Sequence, residues 1–172
     1  TPGKRALGVP SFFGICGGPA DRIPAIARMG TQAQAVAFRW SYQRQDGTFA
    51  PIPTATVDHH VEELVKHGIE PVVYLRRTPA WAAVPPHPHD VFPPKDEFVK
   101  NYEDFAFRVA DRYKGKVHTY QMWGGEADLL ANKVANDLGK DKEWFSSRVA
   151  DLCKAGYKGI KRADPNAIVE TT

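Results

Sequence analysis

"VHTYQMWGGEADL", residues 117–129, sets an apolar run against two glycines and two carboxylates. A run closing on Trp123, a backbone freed by Gly124-Gly125 and an acid at Glu126 make the pattern of a strand end that carries a functional loop. Comparable runs recur outward in both directions. Upstream lie "PVVYL" (71–75), "AQAVAFRW" (33–40) and "ALGVPSFFGI" (6–15); downstream "NAIVE" (166–170) opens a fifth. Between them come segments with helical spacing. These are "DRIPAIARMG" (21–30), then Val57, Val61, Leu64 and Val65, then Phe98, Tyr102, Phe105, Val109 and Tyr113, and last Phe145, Val149, Leu152, Tyr157 and Ile160. Gly30, Gly68 and Gly115 stop the first three.

Strict alternation of helices with continuous apolar strands predicts a parallel sheet covered by helices. Loops after the strands are long and hold the Trp, His and Arg residues. Those before the strands are short, as in "KHGIE" (66–70) and "KGK" (114–116). That asymmetry puts function at the C-terminal ends of the strands. A doubly wound open sheet has the same element order, but "GICGGPAD" (14–21) matches neither phosphate-cradling turn. The expected fold is therefore α/β, of the (β/α)8 TIM-barrel type. A whole barrel takes about 250 residues, so residues 1–172 are expected to hold the first four to five β/α units. They would form the N-terminal half of a longer chain, because an isolated half leaves parallel strand edges unpaired.

The net charge of +3, with no basic block, gives no reason to expect nucleic acid or an anionic membrane as partner. No apolar run nears the ~20 residues that span a bilayer. Cys16 and Cys153 have neither CxxC nor zinc-ligand spacing, and Cys153 falls on an apolar helix face, as a buried thiol does.

Three stretches together resemble the first half of a clan A glycoside hydrolase, most like family 39. They are "GIEPVVYLRRTPAWA" (68–82), "PPKDEFVKNYEDFAFRVADRYKGKVHTYQMWGGEADL" (93–129) and "AGYKGIKRADPNAIV" (155–169). The resemblance implies a retaining glycosidase that acts on a poly- or oligosaccharide without a cofactor. In it Glu126 matches the acid/base carboxylate at the end of strand four, and the nucleophile is a Glu on strand seven, which this sequence does not contain. Arg39, closing strand two, matches an arginine that holds the nucleophile ionised; a surface role is the alternative. The family's Asn before the acid/base is here Gly125, Gly124 lengthens the Trp-to-Glu gap by one residue, and Ala127 replaces Pro.

A general acid needs a poorly hydrated site that raises its pKa, and Trp123 and Tyr120 offer apolar surroundings for Glu126. A solvated loop glutamate is the competing reading. Trp40 and Trp81 suit stacking on sugar rings or packing in the core. Asp128 either orients Glu126, binds a sugar hydroxyl or caps a turn. His87 and His89, in "HPHD" (87–90), suit hydrogen bonding to substrate; they lack a third partner fixed by sequence, so no metal is expected. His59 and His60 read as exposed. Glu170 stands near the end of strand five, facing either the mouth or the surface. The expected partners are a carbohydrate and the missing C-terminal half-barrel or a second copy of the chain. The expected location is secreted or periplasmic, from the substrate class alone. A binding protein that keeps the aromatic cleft without turnover, or a half-barrel that works only on assembly, are the alternatives.

Overall fold

Five parallel strands lie side by side in sequence order, β1-β2-β3-β4-β5. The computed structural model describes residues 14–84, 93–123 and 139–171. The strands are β1 Gly14–Cys16, β2 Ala33–Arg39, β3 Glu70–Arg76, β4 Thr119–Met122 and β5 Ile168–Thr171. The helices among the described residues are α1 Ile23–Arg28, α2 Pro51–Lys66, α3 Val99–Arg112 and α4 Lys142–Ala163. Every neighbouring pair is parallel, with Ala37 beside Tyr74, Tyr74 beside Gln121 and Gln121 beside Glu170. Among the described residues β1 and β5 each have one neighbour, so the sheet is open at both edges.

Side-chain alternation divides the sheet into two faces. Val36, Phe38, Val73, Leu75, Tyr120 and Met122 are buried on the helix-covered face. The opposite face, the inner one of a barrel, carries Ala35, Ala37, Val72, Tyr74 and Gln121, all half-buried, and the exposed Glu170. The core is aromatic: Phe38 meets Phe105 and Tyr113, and Trp40 meets Tyr102 and Phe105. Tyr102 is fully buried, and its hydroxyl donates to the Leu75 carbonyl at 2.8 Å, which fixes α3 onto β3.

Several boundaries differ from the sequence expectation. The first strand was expected over 6–15 with Cys16 in a loop; Cys16 instead ends β1, and residues 1–13 lie outside the described set. The helical spacing expected from Val57 begins earlier, since α2 starts at Pro51. The first turn of a helix needs no intrahelical N–H partner, and proline presets the helical φ. α1 is a short helix preceded by the 3-10 turn Ala20–Arg22. His60, expected to be exposed, is half-buried; its ring lies 3.3 Å from the Gln34 amide, and burial lowers its pKa. Both cysteines are free thiols, Cys16 exposed and Cys153 half-buried.

α3 and α4 approach closely at Gly156 and Gly159. A Cβ at Gly159 would run into the Glu103 carbonyl and come within 2.9 Å of the Phe107 amide nitrogen. At the other flank, Asp58 of α2 accepts hydrogen bonds from two guanidinium nitrogens of Arg112 and from the Tyr113 hydroxyl at 2.8 Å. The Arg112 hydrogen bonds, helped by Tyr113, hold the Asp58 carboxyl below its ordinary pKa.

Two predictions follow from these contacts. Alanine normally stabilises a helix interior over glycine by about 1 kcal/mol; Gly159→Ala is expected to destabilise by about 1–3 kcal/mol in urea unfolding, because backbone is the obstacle. A neutral stability would mean that the helices can separate freely. Asp58→Asn is expected to lower stability at pH 7. A depressed carboxyl pKa contributes above the unfolded value near 4 and is lost as pH falls through the folded one. The gap between variant and wild type should therefore close below about pH 4 in pH-dependent thermal melts.

Candidate functional site

The sequence points to the C-terminal ends of the strands. β3 and β4 leave the sheet in unusual ways: Arg77 and Trp123 both have positive φ, 76° and 43°. A bulky residue in that region is strained and holds there only when its surroundings fix it. Two contacts fix Trp123. Its backbone N–H donates to the Leu75 carbonyl at 3.1 Å, and its buried ring lies edge-on to Tyr102 at 5.8 Å. Continued alternation would send Trp123 to the inner face after Met122. The left-handed turn brings it to the helix side beside Tyr102.

On the inner face, a hollow of about 280 Å³ is lined by Cys16, Ala35, Val72, Tyr74, Gln121 and Glu170, among others. Tyr74 is half-buried, and desolvation, then the hydrogen-bonded Cys16, then Glu170 push its phenol pKa up, while Arg76 pulls it down. The phenol therefore stays protonated at neutral pH. Val169 packs against the core, so Glu170 points the other way, into the hollow. Of the two sequence readings for Glu170, the inner face is where the structure puts it.

Glu126, Gly125, Asp128, His87 and His89 lie outside the described residues. Arg39 ends β2 beside Arg76 of β3. It is exposed, with its guanidinium carbon 6.0 Å from the centre of the Tyr42 ring. Trp40 has no exposed surface; its indole N–H donates to the Gln43 side chain at 3.0 Å, and it packs on Tyr102 and Phe105. This is the core-packing role, not that of a sugar platform. Trp81 was expected to face the cleft. It donates instead to the Gln43 carbonyl at 3.1 Å and lies edge-on between Trp40 and Phe98. It lines a second hollow of about 170 Å³ with Gln43, Asp46, Asn101, Asp104 and Arg108, and no residue lines both hollows.

Tyr74 and Gln121 were missed in the sequence. The signal was present: Tyr74 and Gln121 fall on the off-beat of the period-2 pattern, opposite the apolar face that drew attention. No group of His, Cys, Asp and Glu suited to a metal occurs among the described residues. None of the described helices is long and apolar enough to cross a membrane.

Solved structures share this arrangement. A family 39 glycoside hydrolase from the gut symbiont Bacteroides cellulosilyticus WH2 superposes with a TM-score of 0.64 at 16% identity, over 92% of this chain and 31% of that one. The chain shares the fold of part of that TIM-barrel structure. A beta-glycosidase from Pyrococcus horikoshii matches with a TM-score of 0.65 at 18% identity, over 88% of this chain and 36% of its own. A beta-galactosidase from the psychrophilic Marinomonas ef1 gives 0.62 at 14%, over 92% and 36%. The chain thus spans about a third of the length of these three chains. No family model matches the sequence, and no curated protein does.

The placement of Trp40 generates a stability prediction. Trp40→Ala should cost about 3–5 kcal/mol in urea unfolding, as for a buried aromatic; a loss near zero would mark the side chain as a surface platform.

Proposed function

We propose that this chain supplies the first four to five β/α units of a retaining O-glycosidase acting on a poly- or oligosaccharide, with Glu126 as general acid/base and no cofactor. One observation carries the proposal: β4, which ends at Met122 and is followed in sequence by "WGGE", is the fourth strand of a parallel sheet whose fold is shared by solved glycosidase structures. Fold alone does not assign chemistry; Glu126, three residues past Trp123 in the sequence and matched by resemblance to the acid/base carboxylate, is what adds it. In the first step the Glu126 carboxylic acid would protonate the departing glycosidic oxygen while a second carboxylate attacks the anomeric carbon. In the second, Glu126 as carboxylate would deprotonate the water that releases the sugar. By the family resemblance the second carboxylate lies on strand seven, and Arg39 at the end of β2 would hold it ionised.

Eight strands close such a barrel, and five are present among the described residues. Three further units across the open edges of β1 and β5 complete it. A second copy would bring ten strands, so the count favours units from a longer polypeptide over self-pairing. A secreted or periplasmic location belongs to the same proposal, since large saccharides are met outside the cytoplasm.

The substitution of Gly125 for the family's Asn favours a second reading, a carbohydrate-binding barrel with little turnover. Hydrogen bonds to the 2-hydroxyl contribute several kcal/mol to the glycosidase transition state, and glycine has no side chain to make one.

A panel of aryl glycosides, assayed with protein expressed from the full coding sequence, separates the two. Glu126→Gln is expected to lower kcat by about 10²–10⁴-fold. The loss should be smallest for nitrophenolate leaving groups, which depart without protonation. Equal rates in variant and wild type would remove Glu126 from the mechanism. Saccharide binding without hydrolysis by the wild type would establish the second reading.

A further inference from the structure

Gln34, the second residue of β2, is fully buried against the turn that follows β1. Its amide nitrogen donates to the Gly17 carbonyl at 2.7 Å and lies 3.3 Å from Nε2 of His60 on α2. Its amide oxygen has no hydrogen-bond partner among the described residues. An orphaned buried acceptor is uncommon and calls for an explanation. The turn itself is held close. Gly17 and Gly18 have φ of 77° and 115°, and a Cβ at Gly18 would come within 3.3 Å of the Gln34 amide nitrogen.

We infer that Gln34 and His60 form a proton-operated latch on the Gly17–Gly18 turn, closed while the imidazole is neutral and open once it is protonated. A neutral ring with its hydrogen on Nδ1 leaves Nε2 to accept one amide hydrogen of Gln34, and the other amide hydrogen goes to Gly17. A proton taken from water turns Nε2 into a donor, so that two N–H groups face each other across 3.3 Å. A half-turn of the amide removes that conflict. It sets the orphaned oxygen against the imidazolium in a charge-assisted hydrogen bond and takes the nitrogen away from the Gly17 carbonyl. The acid state thus satisfies the acceptor that the neutral state leaves bare, and it leaves the turn without its side-chain anchor. Gly17 and Gly18 open the loop after β1, so the segment released is one of the loops at the C-terminal ends of the strands.

The surroundings favour the closed state at neutral pH. Burial first, and then His59, lower the His60 pKa. α2 packs on β2, on β3 and on the 3-10 turn Ala20–Arg22. The helix-covered faces of β2 and β3 bring no charged side chain. The 3-10 turn brings Asp21 and Arg22, both exposed. α2 itself brings His59 and Glu63, and Glu63 is held by Lys66, while Arg112 of α3 is taken by Asp58. Because the folded pKa is lowered, the latch is closed at and above the ordinary histidine value and opens as pH falls through the lowered one.

NMR of 13C,15N-labelled protein expressed from the full coding sequence, titrated from about pH 8 to about pH 5, tests the inference. The Gly17 carbonyl carbon and the Gln34 side-chain amide should shift with a single midpoint, that of the His60 ring, below the ordinary histidine value. His60→Asn, which keeps a neutral acceptor without a titrating ring, should flatten both curves. His60→Gln, a better helix former, gives the same readout should asparagine disturb α2. His59→Asn should keep both curves and raise their midpoint, since the neighbouring charge that lowers it is gone. Titration of His60 with flat Gly17 and Gln34 signals overturns the inference, and so do curves that persist once His60 is replaced. The latch needs no saccharide, so it stands or falls apart from the glycosidase reading.

Discussion

The carbonyl of Leu75 receives two hydrogen bonds, from the Trp123 backbone and the Tyr102 hydroxyl. Through that single acceptor the ends of β3 and β4 and the inner side of α3 share one anchor. A carbonyl has two lone pairs, and a buried one left half-satisfied is tolerated; a buried tyrosine hydroxyl without a partner is costly. Tyr102 therefore cannot slide along α3 without leaving its hydroxyl unpaired, and the rings of Trp40, Phe105 and Trp123 are placed around it. Gly156 lies against the same ring, with room for no Cβ between Tyr102 and Met122. The close packing of α4 is thus a consequence of how large a side chain α3 buries.

The sheet that this anchor organises is asymmetric. One face is sealed by aromatic and aliphatic packing. The other is lined by small and polar side chains, half-open, between edges that are unpaired among the described residues. An edge strand and an uncovered inner face both call for partners. Closing the barrel satisfies them together, since added strands pair the edges and enclose the inner face. The polar character of Tyr74, Gln121 and Glu170 then has a physical meaning. A closed lumen with such side chains must hydrogen-bond them to one another, to water or to a ligand.

Periodicity made the element order, the parallel sheet and the barrel type legible, because apolar runs and helical spacing are set by burial, which the chain records residue by residue. Contacts between distant elements were less legible. Trp81 and Trp40 look alike in sequence, each in a loop after a strand, but Gln43 binds both, one by its side chain and one by its carbonyl, and so draws both indoles away from the inner face. His60 reads as a surface helix position until β2 brings Gln34 against it. The helical spacing of Val57, Val61, Leu64 and Val65 did not reveal that α2 begins at Pro51, where proline fits the first turn. The positive φ of Trp123 left no trace in the residue type, since the strain is held by Tyr102 and Leu75, not by local preference.

That strain bears on where the acid of "WGGE" is controlled. A strand positions its side chains through the ladder, and the ladder's grip on β4 ends with the Trp123 amide. Sequence places Glu126 three residues later, past two glycines that add no side chain to pack. In the Trp-Asn-Glu arrangement of the resemblance the acid stands one residue nearer to the tryptophan. Here the left-handed turn at Trp123 commits the tryptophan to the core beside Tyr102. Under the proposed function, the position of Glu126 would then rest on contacts other than the β4 ladder. Catalysis in such a barrel would depend on closure more than in a relative whose strand carries its acid directly.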